Sequence, residues 1–197
     1  MNTATLDRHS FDVYVDPERI REFADATQAH DAAYWDTENP VVPPTFLAAQ
    51  VPYGSAEFEG VLTSPVEQNF WFAGPPPHAG DRLTAVSLVT ATETVNEFFD
   101  PSGRLVAETW RKGVDSAVGM RAASRLAAYA TDWLGAESVR RFRTRIWREL
   151  APGEELVCTG TVQQRYRQDG ESRVDVSVLG VNRSGEVVAR AWATFAE

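Results

Sequence analysis

An imidazole and a carboxylate stand side by side at His30 and Asp31, and the phenol of Tyr34 follows three residues later. Such a pair can share a proton transfer near neutral pH, and a phenol beside it can donate to a bound carbonyl or hydroxyl oxygen. Adjacent side chains usually point apart, so the competing expectation is a solvated loop histidine with a ring packed under the loop. Thr45, after Pro43 and Pro44, and Gly119, before Met120, stand where helices are expected to begin, and a backbone N–H there can meet a carbonyl oxygen. Plain capping at Thr45 and close helix–sheet packing at Gly119 are the alternatives. Arg140, Arg141, Arg143, Arg145 and Arg148 form a cationic run suited to phosphate. As a solvated strand face, the same run would pair with Glu149, Glu154 and Glu155. Trp71, with Phe70, Phe72, Phe98 and Phe99, supplies core candidates, some of them able to line an apolar slot.

Other chemistries are set aside by composition. His9, His30 and His78 are the only histidines and Cys158 is the only cysteine, so a Cys/His zinc cluster is nearly excluded and no internal disulfide can form. His78 sits in the rigid PPPHAGD turn and reads as a surface residue. The formal net charge of −9 repels phosphate backbones, which makes nucleic acid an unexpected partner. The first residues, MNTATLDRHS, lack an apolar core of the signal-peptide kind, and no apolar run reaches the roughly 20 residues that cross a bilayer. A cytoplasmic protein without membrane contact is expected.

The elements that would position these residues come as an internal repeat. AGDRLTAVSLV (79–89) is similar to PGEELVCTGTV (152–162), with Gly80 and Gly153 lying 73 positions apart. The same offset carries Val66 onto Val139, each heading a strand-like segment. PSGRLVAETW (101–110) is similar to RSGEVVARAW (183–192) at an offset of 82, so the second copy holds about nine extra residues in between. PPTFLAAQVPYG (43–54) and VGMRAASRLAAY (118–129) hold equivalent places ahead of the strands.

In the second copy the spacing predicts a helix from Met120 to about Leu134. Met120, Ala123, Leu126, Ala127, Ala130 and Leu134 share one face, and Gly135 marks the stop. Its alanines keep it slim enough to lie close against a sheet. Strands follow over 139–147, with Phe142 and Ile146 on the apolar face, then over 156–167, 172–182 and 187–196, separated by QDGE and RSGE turns. The corresponding middle hairpin of the first copy is shorter and lacks a glycine turn. Residues 1–42 have no second counterpart. They read as a strand, SFDVYV, a helix capped by Asp16 with Pro17 at its first position and Ile20, Phe23, Ala24 and Thr27 inward, then a loop ending in a proline pair.

A helix wrapped by an antiparallel sheet, occurring twice, is the hotdog arrangement, and FDVYVDPERIREFADATQAHDAAYW, VVPPTFLAA and AGDRLTA together resemble the MaoC-like dehydratases and (R)-specific enoyl-thioester hydratases. The first half is similar to the A-type subunit of the heterodimeric hydroxyacyl-thioester dehydratases used in mycolic-acid elongation. The second half, opened by a Gly-Met step, is similar to the back of a C-terminal MaoC domain. The resemblance implies an α+β double hotdog whose second copy is truncated at its N-terminal part, with units at 1–113 and 114–197.

It also implies an acyl-thioester ligand carried by CoA or acyl carrier protein. It further implies hydro-lyase chemistry without a cofactor, and a homodimer or a heterodimer with another hotdog subunit. Arg143 and Arg145 would then face the phosphates of CoA or of the carrier arm, and Trp71 the acyl chain. The family's Asp and His lie five residues apart in a D-x-N-P-x-H loop; here Ala29 and Tyr34 stand at those positions, and the second copy has no such loop. His30, Asp31 and Tyr34 are the candidate stand-ins, with Thr45 and Gly119 at the helix starts that would meet the thioester oxygen. A non-catalytic acyl-binding subunit is the alternative. Another is different chemistry such as thioester hydrolysis or polyketide cyclisation, for which Asp31, Asp36 and Glu57 are available.

Overall fold

The computed structural model describes residues 7–51, 65–90, 92–112, 119–151 and 153–197. Strand β1 (Asp7–Tyr14) runs into helix α1 (Pro17–Thr27), a 3-10 turn at Ala32–Tyr34 and the short helix α2 (Phe46–Ala49). Strands β2 (Val66–Phe72), β3 (Arg82–Val89), β4 (Glu93–Phe99) and β5 (Leu105–Lys112) complete the first half. The second half is helix α3 (Met120–Leu134), a 3-10 turn at Ala136–Ser138, and strands β6 (Val139–Ile146), β7 (Val157–Gln168), β8 (Glu171–Val181) and β9 (Val187–Ala196). Glu57, one of the carboxylates considered above, lies outside the described residues.

The nine strands of the described residues join one antiparallel sheet in the order β1-β3-β4-β5-β2-β6-β9-β8-β7. Read outward from the middle, β2-β5-β4-β3 on one side mirrors β6-β9-β8-β7 on the other, which is the duplication seen in the sequence. Strand β1 is the added member of the first half. The extra residues of the second copy lengthen β7 and β8 to 12 and 11 residues, against 8 and 7 for β3 and β4. The halves meet where β2 pairs with β6, Val66 opposite Ile146 and Phe70 opposite Phe142. The Phe70 and Phe142 rings lie 6.2 Å apart across this seam.

The two longer helices, α1 and α3, form where the sequence demands. Asp16 accepts from the backbone N–H groups of Glu18 and Arg19 at 2.9 and 3.0 Å, satisfying donors that the first turn of α1 leaves over. Helix α3 starts after Gly119 and ends at Gly135, and packs against β6, β7, β8 and β9. Ala122, Ala123, Ala127 and Ala130 are buried along it, so the helix axis comes close to the sheet. The approach is tightest at Gly160 of β7, where a Cβ would stand 2.4 Å from the Trp133 ring. One continuous core joins residues of both halves, from Val13 to Phe195. The helix expected near 43–54 is represented by α2, four residues long within the described part of that range.

Strand β6 departs from simple alternation in one respect. Phe142, Thr144 and Ile146 are inward as their parity requires, and a register shift against β9 between Val139 and Arg141 turns Val139 inward as well. The bulge leaves Arg140 half-buried, paired with Glu171 at 2.8 Å.

Candidate functional site

The residues singled out for chemistry fall into three places, and in each the fold has given them local partners. His30 and Asp31 follow α1 and meet the C-terminal end of α3. The Asp132 carboxylate accepts from both their backbone N–H groups at 2.7 Å, and its other oxygen lies 3.1 Å from the His30 imidazole. Asp31 in turn accepts from the N–H groups of Ala33 at 2.9 Å and Ala136 at 3.0 Å. The two carboxylates thus fasten the loop to the end of the helix, while the His30 side chain is 80 % exposed. Tyr34 is fully buried beneath, against Ala24, Ala29, Val41, Ala128 and Ala136. Burial holds its phenol well above the ordinary tyrosine range; contact with Thr131 opposes this, and the Asp31 and Asp132 carboxylates add to it. Its hydroxyl lies against Thr131 without a well-formed hydrogen bond. His30, Asp31 and Tyr34 are therefore brought together, but as a latch over a packed ring.

Gly119 adopts φ 82, and a Cβ there would stand 2.7 Å from Cδ1 of Ile146. Its N–H, the group considered for a carbonyl oxygen, donates to the Glu149 carboxylate. Thr45 is buried at the start of α2 and makes no side-chain cap; its hydroxyl meets that of Ser124 at 2.9 Å, tying α2 to α3. Thr45 and Gly119 sit at the two helix starts, as expected.

Trp71, Arg143 and Arg145 lie on the other face of the sheet, away from the helices. Alternation along β2 turns Val66, Gln68, Phe70 and Phe72 inward and leaves Glu67 and Trp71 outward. Arg143 and Arg145 reach Glu67 at 3.1 and 3.8 Å, and Arg141 donates to Asn69 at 2.8 Å. Arg148 pairs with Glu154, whose carboxyl is held at about 2 chiefly by that guanidinium and also by the Ala151 N–H. The arginine run is thus neutralised locally, by Glu67, Glu171 and Glu154, only the last of which sequence proximity indicates.

The helical side of the sheet carries a feature not marked in advance. A groove of about 330 Å³ runs between the three helices, lined by Phe23, Ala26 and Thr27 of α1, Ala49 of α2, and Met120, Arg121, Ser124 and Arg125 of α3. Its walls are mainly apolar, and the Phe23 and Phe46 rings meet edge to face, 5.5 Å apart, where α1 crosses α2. Arg121 donates to the Leu150 carbonyl at 2.8 Å, and half-buried Arg125 has no carboxylate partner among the described residues. Like charges one turn apart on a helix repel, so Arg121 and Arg125 were the available sequence signal for this groove. Burial raises the thiol of Cys158, near Arg125, to about 11, against the opposing effect of Arg125, which disfavours the thiolate. Among the described residues there is no cluster of His, Cys, Asp and Glu fit to hold a metal ion, and no helix long and apolar enough to cross a membrane.

No family model matches the chain, and no curated protein matches it in sequence. Solved structures do match in shape. A protein described as a MaoC-like dehydratase superposes with TM-score 0.74 at 14 % identity, covering 95 % of this chain and 97 % of that one. The MaoC-like dehydratase of Phytophthora capsici gives 0.65 at 12 %, covering 96 % and 95 %. A conserved hypothetical protein of Mycobacterium tuberculosis, described as having a double hotdog fold, gives 0.61 at 9 %, covering 100 % and 96 %. At these identities the likeness speaks for architecture: the chain has the double hotdog fold found in MaoC-like dehydratases.

Proposed function

We propose that the chain is a MaoC-like protein that binds an acyl thioester in the groove between α1, α2 and α3, and that it leaves the proton chemistry to another subunit. The groove carries this reading. Its size falls in the range of small-molecule sites, its walls suit an alkyl chain, and its lining includes two arginines one turn apart. Guanidinium groups beside an apolar slot suit the phosphates of CoA or of a carrier-protein arm. The outward arginines, Arg143 and Arg145, are less suited, because Glu67 already answers them.

The engagement of the stand-in residues supports a binding role over a catalytic one. His30 and Asp31 serve the latch with Asp132, and Tyr34 is sealed beneath it. A helix N–H that would stabilise a developing oxyanion is held by Glu149. We take 1–113 and 114–197 as the two units, joined through β2 and β6. That seam uses the inner edges, leaving β1 and β7 as the outermost strands among the described residues, at which a second hotdog subunit, carrying the D-x-N-P-x-H loop, would dock.

The test is hydration of a panel of enoyl-CoA thioesters by the purified chain, alone and with a companion hotdog subunit. The reading predicts no turnover alone and turnover only with the companion. Turnover by the chain alone that disappears in His30→Ala or Asp31→Asn would overturn it.

A further inference from the structure

The face of the sheet turned away from the helices is divided by charge. In the first half, alternation along β2, β4 and β5 sends Glu67, Glu93, Glu97 and Glu108 outward, with Lys112 as the one outward cation of those strands. In the second half, β6 and β9 send out Arg141, Arg143, Arg145 and Arg190. Strand β8 adds Arg173, which pairs with Glu171, and Asp175, whose oxygens are met by the neutral Gln164, Tyr166 and Thr194. An excess of carboxylates on one side of the β2–β6 seam thus adjoins an excess of guanidinium groups on the other.

The folded chain itself gains little from this division. Arg145 stands directly opposite Arg190, and Glu97 directly opposite Glu108, and like charges so placed repel. Glu67 serves both Arg143 and Arg145, Arg141 donates to the neutral Asn69, and Arg190 has no carboxylate partner among the described residues. Glu108 and Arg190 are equivalent positions of the repeat, at the offset of 82, yet opposite in sign, whereas Trp110 and Trp192 beside them are alike.

Four of the six tryptophans, Trp71, Trp110, Trp147 and Trp192, stand on this face. Trp192 and Trp147 are 40 and 37 % exposed, and the Arg145 guanidinium lies 5.8 Å from the Trp147 ring. Tryptophan and arginine are enriched where protein interfaces draw their affinity. A depression of about 460 Å³ beside Trp192, walled by Arg141, Arg143 and Asp175, gives an opposing side chain a place to insert.

The division selects the partner. A twofold axis along the strands, over the β2–β6 seam, lays the first half of one copy on the second half of another, so that acid meets base on both sides of the axis. An axis across the strands would set arginine on arginine. The six central strands, about 4.8 Å apart and about seven residues long at roughly 3.3 Å each, cover roughly 650 Å² in each copy. Two such faces make roughly 1,300 Å², inside the range of about 1,200–2,000 Å² for stable interfaces. We infer that this face is a self-association surface, occupied by a second copy of the chain stacked sheet on sheet with the halves exchanged. The contact uses neither the groove nor the outermost strands, and it is independent of the acyl-groove reading.

Sedimentation velocity on the purified chain tests this with two doubly reversed variants, Arg141→Glu with Arg190→Glu and Glu97→Lys with Glu108→Lys. Wild type is expected to self-associate below about 100 μM. Each variant, with Tm within about 2 °C of wild type, is expected to weaken that association about 100-fold or more, because like charges then face one another. Mixing the two variants in equal amounts is expected to restore it as a one-to-one complex. A wild type that stays monomeric overturns the inference and leaves the face to a different protein. Association that either variant keeps overturns it and moves the contact to the outermost strands, and variants that stay apart when mixed overturn it as well.

Discussion

Glu149 accepts a hydrogen bond from the backbone N–H of Gly119, so the first turn of the central helix is closed by the protein's own carboxylate. The two residues lie 30 positions apart and hold the segment after β6 against the start of α3. Gly119 is fixed by two independent requirements, a positive φ and the contact with Ile146. Gly119→Ala is therefore expected to cost about 1–3 kcal/mol, more than the usual penalty for a left-handed alanine alone. A urea titration with unchanged slope and a lowered midpoint checks this, and a midpoint equal to wild type contradicts it.

The latch at the other end of α3 predicts a dissociation between neighbours. Asp132→Ala removes the acceptor of two backbone donors and should destabilise by about 1–3 kcal/mol. His30→Ala removes an exposed ring from the same contact and should leave stability within about 0.5 kcal/mol of wild type. Thermal unfolding of both variants separates them. Equal losses would mean that the imidazole, rather than the backbone donors, holds the loop.

Acid sensitivity should localise to the connection between β6 and β7. Glu154 is held at about 2 in the folded chain, below the roughly 4.3 of an unfolded glutamate. Its folded pKa is depressed, so its contribution is complete above the unfolded value and is lost as pH falls from about 4 toward 2. Glu154→Gln is expected to flatten the fall of the urea midpoint in that window and to lower the midpoint at pH 7. An identical slope in wild type and variant would assign the acid transition elsewhere.

Much of the fold was legible in the residues. Helix α3 begins and ends where its 3- and 4-residue apolar spacing and flanking glycines place it, because that helix is amphipathic and capped by its own sequence. The Gly-bounded hairpins of the second half follow for the same local reason. What sequence could not provide was the result of distant meetings. Asp132 reaches His30 across 102 positions, and Glu67 reaches Arg143 across 76. Trp71 was hard to place because β2 carries aromatic residues at three successive positions, Phe70, Trp71 and Phe72, so hydrophobicity alone does not choose the inward face. The parity of Val66, Phe70 and Phe72 does choose it, and it turns Gln68 inward and Trp71 outward. The bulge at Val139 has no such signature.

The acyl groove is tested most directly by titrating the purified chain with a saturated acyl-CoA in a calorimeter, beside Ala26→Trp, which fills the groove from an exposed position on α1. Saturable one-to-one binding in wild type is predicted. A loss of about tenfold or more is predicted in Ala26→Trp, whose Tm should be within about 2 °C of wild type. Absence of binding in wild type, or binding that Ala26→Trp leaves intact, would contradict the account.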